Sequence, residues 1–203
     1  GRYVIFMDVD DKISQNGYNV MLKKAIETNA DAVVCDMELI YENGKTQYCR
    51  VFHEQENGRL YGFLVDGLMA SSNNKMVRRE LFEGLQYAEG KNNEDVAVTP
   101  VLLALARNIQ YIPSAFYKYY QRSGSIQNSE FDKDRLVVFD TCKQAIDEIN
   151  MIRPDEVDLI GGVIVSNQLI AVLVYIICDM TNTRKRNSII REFIKRYKEL
   201  GIQ

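Results

Sequence analysis

Three carboxylates stand within four positions at Asp8, Asp10 and Asp11, directly after the apolar run YVIFM at residues 3–7. Like charges this close repel, and an ionised carboxylate resists burial, so a strand that ends this way needs a reason for its acids. One reason is a hard divalent cation, because carboxylate oxygens suit Mg²⁺ or Mn²⁺ and an ion between them removes the repulsion. An ion held by one or two carboxylates keeps open positions, which substrate phosphates commonly fill. The plainer reason is a solvated turn, where acids are frequent, and the triplet alone does not separate the two. A second acidic pair, Glu94 and Asp95, opens an apolar stretch at 94–108 and reads as a helix start, where carboxylates favour the positive end of the dipole. Arg122 follows an aromatic run and is either a permanent cation for phosphate oxygens or an exposed residue at a strand end. His53, the single histidine, has no partner pattern and reads as a surface or strand residue.

Elements must place these side chains. Residues 3–9 read as a buried strand that delivers the acids to its C-terminal end, where open α/β sheets form their sites. Residues 18–28 carry apolar positions at helical spacing; 32–40 reads as a strand, Glu42-Asn43-Gly44 as a turn and 46–52 as its hairpin partner. Residues 60–70 look helical, and 94–108 form a longer helix despite Pro100 in its second turn. IQYI and AFYKYYQ, around Pro113, are two further strands. The alternation implies an α/β layer architecture. From about 132 the pattern changes to three helical stretches, near 132–150, 155–179 and 184–200.

Composition limits the function classes. The 203 residues are 46% hydrophobic and 26% charged, as in an ordinary soluble globular protein long enough to bury a core. A net charge of -3 gives no overall footprint for nucleic acid. Cys35, Cys49, Cys142 and Cys178 are scattered without zinc-type spacing and read as reduced thiols of a cytoplasmic protein. The apolar segment 159–178 approaches bilayer-spanning length, but Ser166, Asn167 and Gln168 at its centre suit a buried bundle helix better. The last helix sets Ile189, Ile190, Phe193, Ile194, Tyr197 and Leu200 on one face among many Lys and Arg residues. That is either a packed stripe under a solvated face or a peripheral membrane contact through 184–200, at the inner face of the membrane.

Two reaction classes use a buried strand ending in Asp-x-Asp. Haloacid-dehalogenase-like phosphatases take the first Asp as nucleophile, but here Asp11, Lys12 and Ile13 follow, and the late acidic motif of those enzymes is missing. GT-A type glycosyltransferases use Asp-x-Asp to hold an ion on the donor diphosphate. The order of several further motifs resembles the family 2 inverting glycosyltransferases, including those of bacterial surface polysaccharide synthesis. GRYVIFMDVDD is similar to G-x-Y-h-h-F-h-D-x-D-D, where h is apolar, and LKKAIETNADAVVCDMELIYENGK resembles the helix and strand that follow. NNKMVRRELFEG is similar to N-K-h-x-R-R-E-L-F, and EGKNNEDVAVTPVLL to E-G-x-x-x-E-D-x-x-x-x-x-x-L. YIPSAFYKYYQRSGSI resembles Y-I-P-x-x-h-Y-x-Y-x-x-R-x-x-S-I. Together they cover residues 1 to about 126.

The resemblance implies an α/β fold of GT-A type, with a Rossmann-like mixed sheet, as a partial domain at 1–126, followed by an α-helical extension at 127–203. It implies transfer of a sugar from a nucleotide donor, a UDP-sugar foremost, to a glycan or lipid-linked acceptor with inversion. On chemical grounds Asp8 and Asp10 approach Mn²⁺ or Mg²⁺ and the donor, Asp10 first as a direct ligand, and Asp11 supports them through hydrogen bonds. By the resemblance Asp95 of the Glu94-Asp95 pair is the base that takes the acceptor proton. Arg122 is the candidate second contact with the diphosphate. Asn74 and Lys75 match a motif position, with acceptor-site shaping or a structural role both open and Lys75 kept among the donor-binding candidates. Phe116, Tyr117, Tyr119 and Tyr120 could stack on a sugar ring, although alternate tyrosines on a strand usually pack. Lys12 stands where relatives often carry an aromatic residue and sets a cation beside the acids.

Full-length members of that family carry, before this region, a strand of the type hhIPhYN and an acidic motif that grips the base and ribose. The expectation is therefore part of a longer enzyme whose upstream residues supply the other half of the donor site. The alternative is a shortened, non-catalytic relative whose helical part serves as an interaction module.

Overall fold

The computed structural model describes residues 1–51, 70–87, 93–122 and 133–201. The expected helix at 60–70 and His53 therefore lie outside the described residues, apart from Ala70.

A mixed sheet organises the first part. Its strands are β1 (Tyr3–Ile5), β2 (Lys12–Ile13), β3 (Ala32–Tyr41), β4 (Thr46–Cys49), β5 (Lys75–Arg78) and β6 (Ile109–Gln121). The order across the sheet is β1-β5-β3-β6-β2, and β4 pairs with β3 beyond the end of β5. Among the described residues only β3 and β6 run parallel, from Ala32 beside Ile109 to Tyr41 beside Gln121; the other described pairs are antiparallel. The hairpin expected around Glu42-Asn43-Gly44 is present as β3-β4, with Gly44 at φ 79°, a conformation glycine adopts without a Cβ penalty.

Two sequence expectations need correction. The first strand ends at Ile5 rather than near residue 9, because β5, its partner, begins at Lys75 and offers pairing only opposite Tyr3–Ile5. Phe6 leaves the sheet to pack edge-on against Phe82 and Tyr87, with centroids 5.9 and 5.1 Å away. The acids thus sit in a turn beyond the strand. The two strands expected around Pro113 are one continuous strand, β6. Its register against β3 slips on both sides of Asp36, and Pro113 is exposed within that irregularity, where no ladder N–H is required of it.

Side chains of β3 alternate between two cores, as the period of two demands. Val33 and Cys35 join Met21 and Ala25 of helix α1 (Gly17–Glu27) in the smaller cluster. Ala32 and Val34 face the larger one, built on helix α2 (Glu94–Leu105). Every residue of α2 from Val96 to Ala104 is buried, so packing on all sides outweighs the roughly 3 kcal/mol that an interior proline such as Pro100 costs. The larger core continues without a break into α3 (Val138–Ile152), α4 (Val157–Asp179) and α5 (Thr183–Glu199), ending in the edge-on pair Phe139–Phe193. The α/β part with a helical C-terminal part agrees with the expected fold class. α4 is long and apolar enough to cross a bilayer, yet Ile160, Ile164, Leu169 and Ile176 are buried in this core.

Leu103 is fully enclosed in α2, whereas Ile26 on α1 is 58% exposed. Urea unfolding should show Leu103→Ala costing about 2–5 kcal/mol and Ile26→Ala no more than about 0.5 kcal/mol. Equal costs would refute this placement of the core.

Candidate functional site

The three acids of the first loop have separate fates. Asp11 is buried: its carboxylate accepts the Tyr117 hydroxyl at 2.5 Å and the Tyr120 N–H at 2.9 Å. Burial pushes its pKa up, the two hydrogen bonds oppose that, and the charges of Asp10 and Asp8 add to it. The Tyr117 oxygen also accepts the Asp8 N–H at 3.3 Å, so one tyrosine of β6 fixes the loop at two points. Asp8 and Asp10 are left exposed. Asn73 Nδ2 donates to Asp8 Oδ2 at 2.8 Å, and Asp10 faces Arg122 at 3.9 Å, a solvent-exposed ion pair of small energy. The Arg122 guanidinium also donates to the Asp10 carbonyl at 3.4 Å.

A cavity of about 240 Å³ lies beside this loop. Asp8, Asn73 and Tyr119 line it together with Asn93 and Asp95 from the start of α2 and Gln168 from the middle of α4. Asn93 takes a left-handed φ of 61° before the helix, and the Asp95 carboxylate accepts the N–H of Val96 at 2.9 Å. Burial, then the charge of Glu94, raises the Asp95 pKa to about 6, against the opposing pull of Lys75. A carboxylate with that pKa is protonated and deprotonated near neutrality, as a general base requires. Glu94 acts on Asp95 through its charge and is not among the residues lining the cavity.

Lys75 stands behind the cavity wall. It is 1% exposed, and its ammonium donates to the Ser71 carbonyl and to Asn74 Oδ1, the latter at 2.6 Å. Asn74 Nδ2 in turn donates to the Cys35 carbonyl at 2.7 Å. Burial lowers the Lys75 pKa to about 7. These bonds tie the turn that carries Asn73 to β3. Lys12 places its ammonium over the Tyr120 ring, 5.2 Å from the centroid, which occupies the cation expected beside the acids.

Of the residues singled out in sequence, the structure brings Asp8 and Asp95 into one cavity and sets Asp10 and Arg122 together at its loop. It puts Asp11 and Lys75 into the supporting framework. Among the described residues no three His, Cys, Asp or Glu side chains converge as a cluster for an ion. Asp8 and Asp10 nonetheless present hard, solvent-reachable oxygens on one short loop, which suits an ion that draws its remaining ligands from a phosphate. Asn73, Tyr119, Asn93 and Gln168 line the cavity as well. Tyr119 was legible only as one of several strand aromatics, and Gln168 only as a polar break in an apolar helix.

Asp11 gives a direct test of the loop's anchorage. Tyr117→Phe removes a donor to a buried carboxylate and should cost about 1–3 kcal/mol. Because the hydrogen bond stabilises the charged form, the loss in urea midpoint should be larger at pH 8 than in acid, where Asp11 takes up a proton. A pH-independent loss would contradict this role.

No family model matches the chain. Its curated relatives include Glycosyltransferase GlyA of Streptococcus pneumoniae serotype 4, 25% identical over 158 residues, which cover 72% of this chain and 23% of that protein. Glycosyltransferase GlyG of the same organism is 24% identical over 157 residues, 65% of this chain and 48% of the relative. The uncharacterized glycosyltransferase YibD of Escherichia coli K12 is 26% identical over 137 residues, 62% and 40% respectively. The chain thus spans less than half the length of these relatives. Among solved structures, S. aureus TarS 1–349 in complex with UDP-GlcNAc superposes with a TM-score of 0.69 at 16% identity, covering 97% of this chain and 58% of that one. TarS 1–349 in complex with UDP gives 0.64 at 17% identity over 91% and 52%. In sequence the chain is similar to proteins named glycosyltransferases, and its fold is that of TarS.

Proposed function

We propose that the chain is the acceptor-side and metal-side part of a nucleotide-sugar glycosyltransferase that works with inversion on a glycan or lipid-linked acceptor in surface polysaccharide synthesis. The observation that carries this reading is the single cavity shared by Asp8 of the acidic loop and Asp95 of α2, segments far apart in sequence. The names of the curated relatives support sugar transfer, and the UDP-GlcNAc and UDP held by TarS support a UDP-sugar donor.

In this reading Asp95 accepts the proton of the acceptor hydroxyl while that oxygen forms a bond to the anomeric carbon. The bond from that carbon to the diphosphate breaks, and the nucleoside diphosphate leaves with the electron pair. Asp10 and Asp8 would hold Mn²⁺ or Mg²⁺, which when bound supplies Lewis-acid stabilisation of the leaving diphosphate. Asn73 orients the Asp8 carboxylate, Arg122 adds a cation at the loop, and Asp11 keeps the loop in place. Gln168, Asn93 and Tyr119 offer neutral hydrogen-bonding groups for sugar hydroxyls. The same reading puts the protein in the cytoplasm, at the inner face of the membrane, with residues 184–200 nearest the lipid.

Asp95→Asn is the decisive variant. In the whole enzyme, with the residues that complete the donor site, UDP binding that depends on Mn²⁺, measured by calorimetry, should stay within about threefold of the parent, while transfer from the sugar nucleotide falls by at least about 10²-fold. Loss of both in a folded variant would overturn the role of Asp95. In the parent, transfer should rise with pH through about 6 as the base loses its proton.

The same substitution should stabilise the fold. The folded pKa of Asp95, about 6, lies above its usual 3.8, so its favourable contribution is full below that value and is lost as pH rises through about 6. At pH 8 the partly buried charge is a burden, and Asp95→Asn should add about 1–2 kcal/mol in urea unfolding, with no gain below pH 4.

A further inference from the structure

The outer surface of the helical part carries an apolar stripe beside a strongly basic helix. On α4, Leu159, Ile170, Val174 and Ile177 are each 51–60% exposed. At 100° per residue these four fall within about 60° of one another, a single line along the helix. On α5, Ile194 and Tyr197 are about half exposed at 47% and 49%. A groove of about 390 Å³ runs between the two helices, walled by Val165, Leu169, Leu173 and Phe193, and Ile170 and Tyr197 belong both to its lining and to the exposed apolar set. The groove thus joins the exposed apolar residues of α4 to those of α5 through Ile170 and Tyr197.

The charge beside it is predominantly positive. α5 holds seven basic and two acidic residues, a net +5 in a chain whose total is -3. Arg184, Arg191, Lys195 and Lys198 lie within about a quarter turn of Ile194 on the helix, so cations flank the apolar edge. Two copies meeting through this face would oppose their basic helices, and like charges in contact disfavour that pairing. A bilayer containing anionic lipid satisfies both halves of the surface: the stripe enters the headgroup and acyl boundary, the cations meet phosphate, and Tyr197 sits at the interface.

We infer that the α4–α5 face is a peripheral docking surface for an anionic phospholipid bilayer. The helices lie in the interface and do not cross it, since the opposite side of α4 packs in the core and supplies Gln168 to the cavity.

Sedimentation of the whole chain with vesicles tests this. Vesicles of phosphatidylglycerol mixed with phosphatidylcholine should bind it, pure phosphatidylcholine should bind it at least about tenfold more weakly, and added salt should weaken the binding. Ile170→Glu with Val174→Glu, and separately Arg191→Glu with Lys198→Glu, should each reduce binding by about tenfold or more. These positions are exposed, and an unchanged circular dichroism spectrum and melting temperature verify the fold of each variant. No sedimentation with anionic vesicles, or equal sedimentation with both kinds at any salt, overturns the inference. So does self-association in the ultracentrifuge that the Glu variants abolish without any vesicle binding, which assigns the face to a second copy. The inference rests on and refines the membrane placement in the proposed function; no nucleotide sugar enters these measurements, so its failure is distinguishable from failure of sugar transfer.

Discussion

A carboxylate withdrawn from water governs the arrangement of the acidic loop. Asp11 is tolerable inside the protein because β6 supplies two donors to it, the Tyr117 hydroxyl and the Tyr120 amide. β6 is also the strand that pairs with β3 over its whole length, so the loop is tied to the most extensively bonded part of the sheet. With Asp11 held as the anchor, Asp8 and Asp10 stay in solvent. Three residues of closely related position thus divide into one buried acid and two exposed ones, and their hydrogen-bond partners decide which is which.

The opposite wall is built on the same logic with the sign reversed. Lys75 is a cation without solvent, held by the Ser71 carbonyl and Asn74 Oδ1, and through Asn74 by the Cys35 carbonyl. The turn so fixed presents Asn73 to Asp8. Lys75 lies close enough to Asp95 for each to favour the charged form of the other, while burial disfavours both. The two titrating groups therefore sit near neutrality from opposite directions, a balance that a site performing proton transfer can use and that a purely structural ion pair does not need.

Much of this was legible in the chain because it is local. Periodicity located α1, β3, α2 and the three later helices, and the spacing of Asp8, Asp10 and Asp11 after an apolar run marked the loop. What local pattern could not carry was tertiary approach. Pro113 reads as a strand break, yet a register slip absorbs it and β6 continues. Pro100 reads as an interruption, yet full burial keeps α2 intact around it. Lys75 reads as a donor-binding or structural residue until the fold closes over it, and Gln168 reads as a polar break in an apolar helix until α4 is laid against the cavity. In each case the deciding partner is remote in sequence.

α4 is a single helix of 23 residues with Gln168 on the cavity side and Ile170, Val174 and Ile177 on roughly the opposite side. A continuous helix moves as a rod, so a tilt imposed at its outer face is delivered to Gln168 without an intervening hinge. Thermodynamic reciprocity then applies: whatever free energy an occupant of the cavity gains or loses from the position of α4 is returned, unchanged in size, as affinity at the outer face. The two surfaces belong to one helix, with no break in it between Gln168 and Ile170.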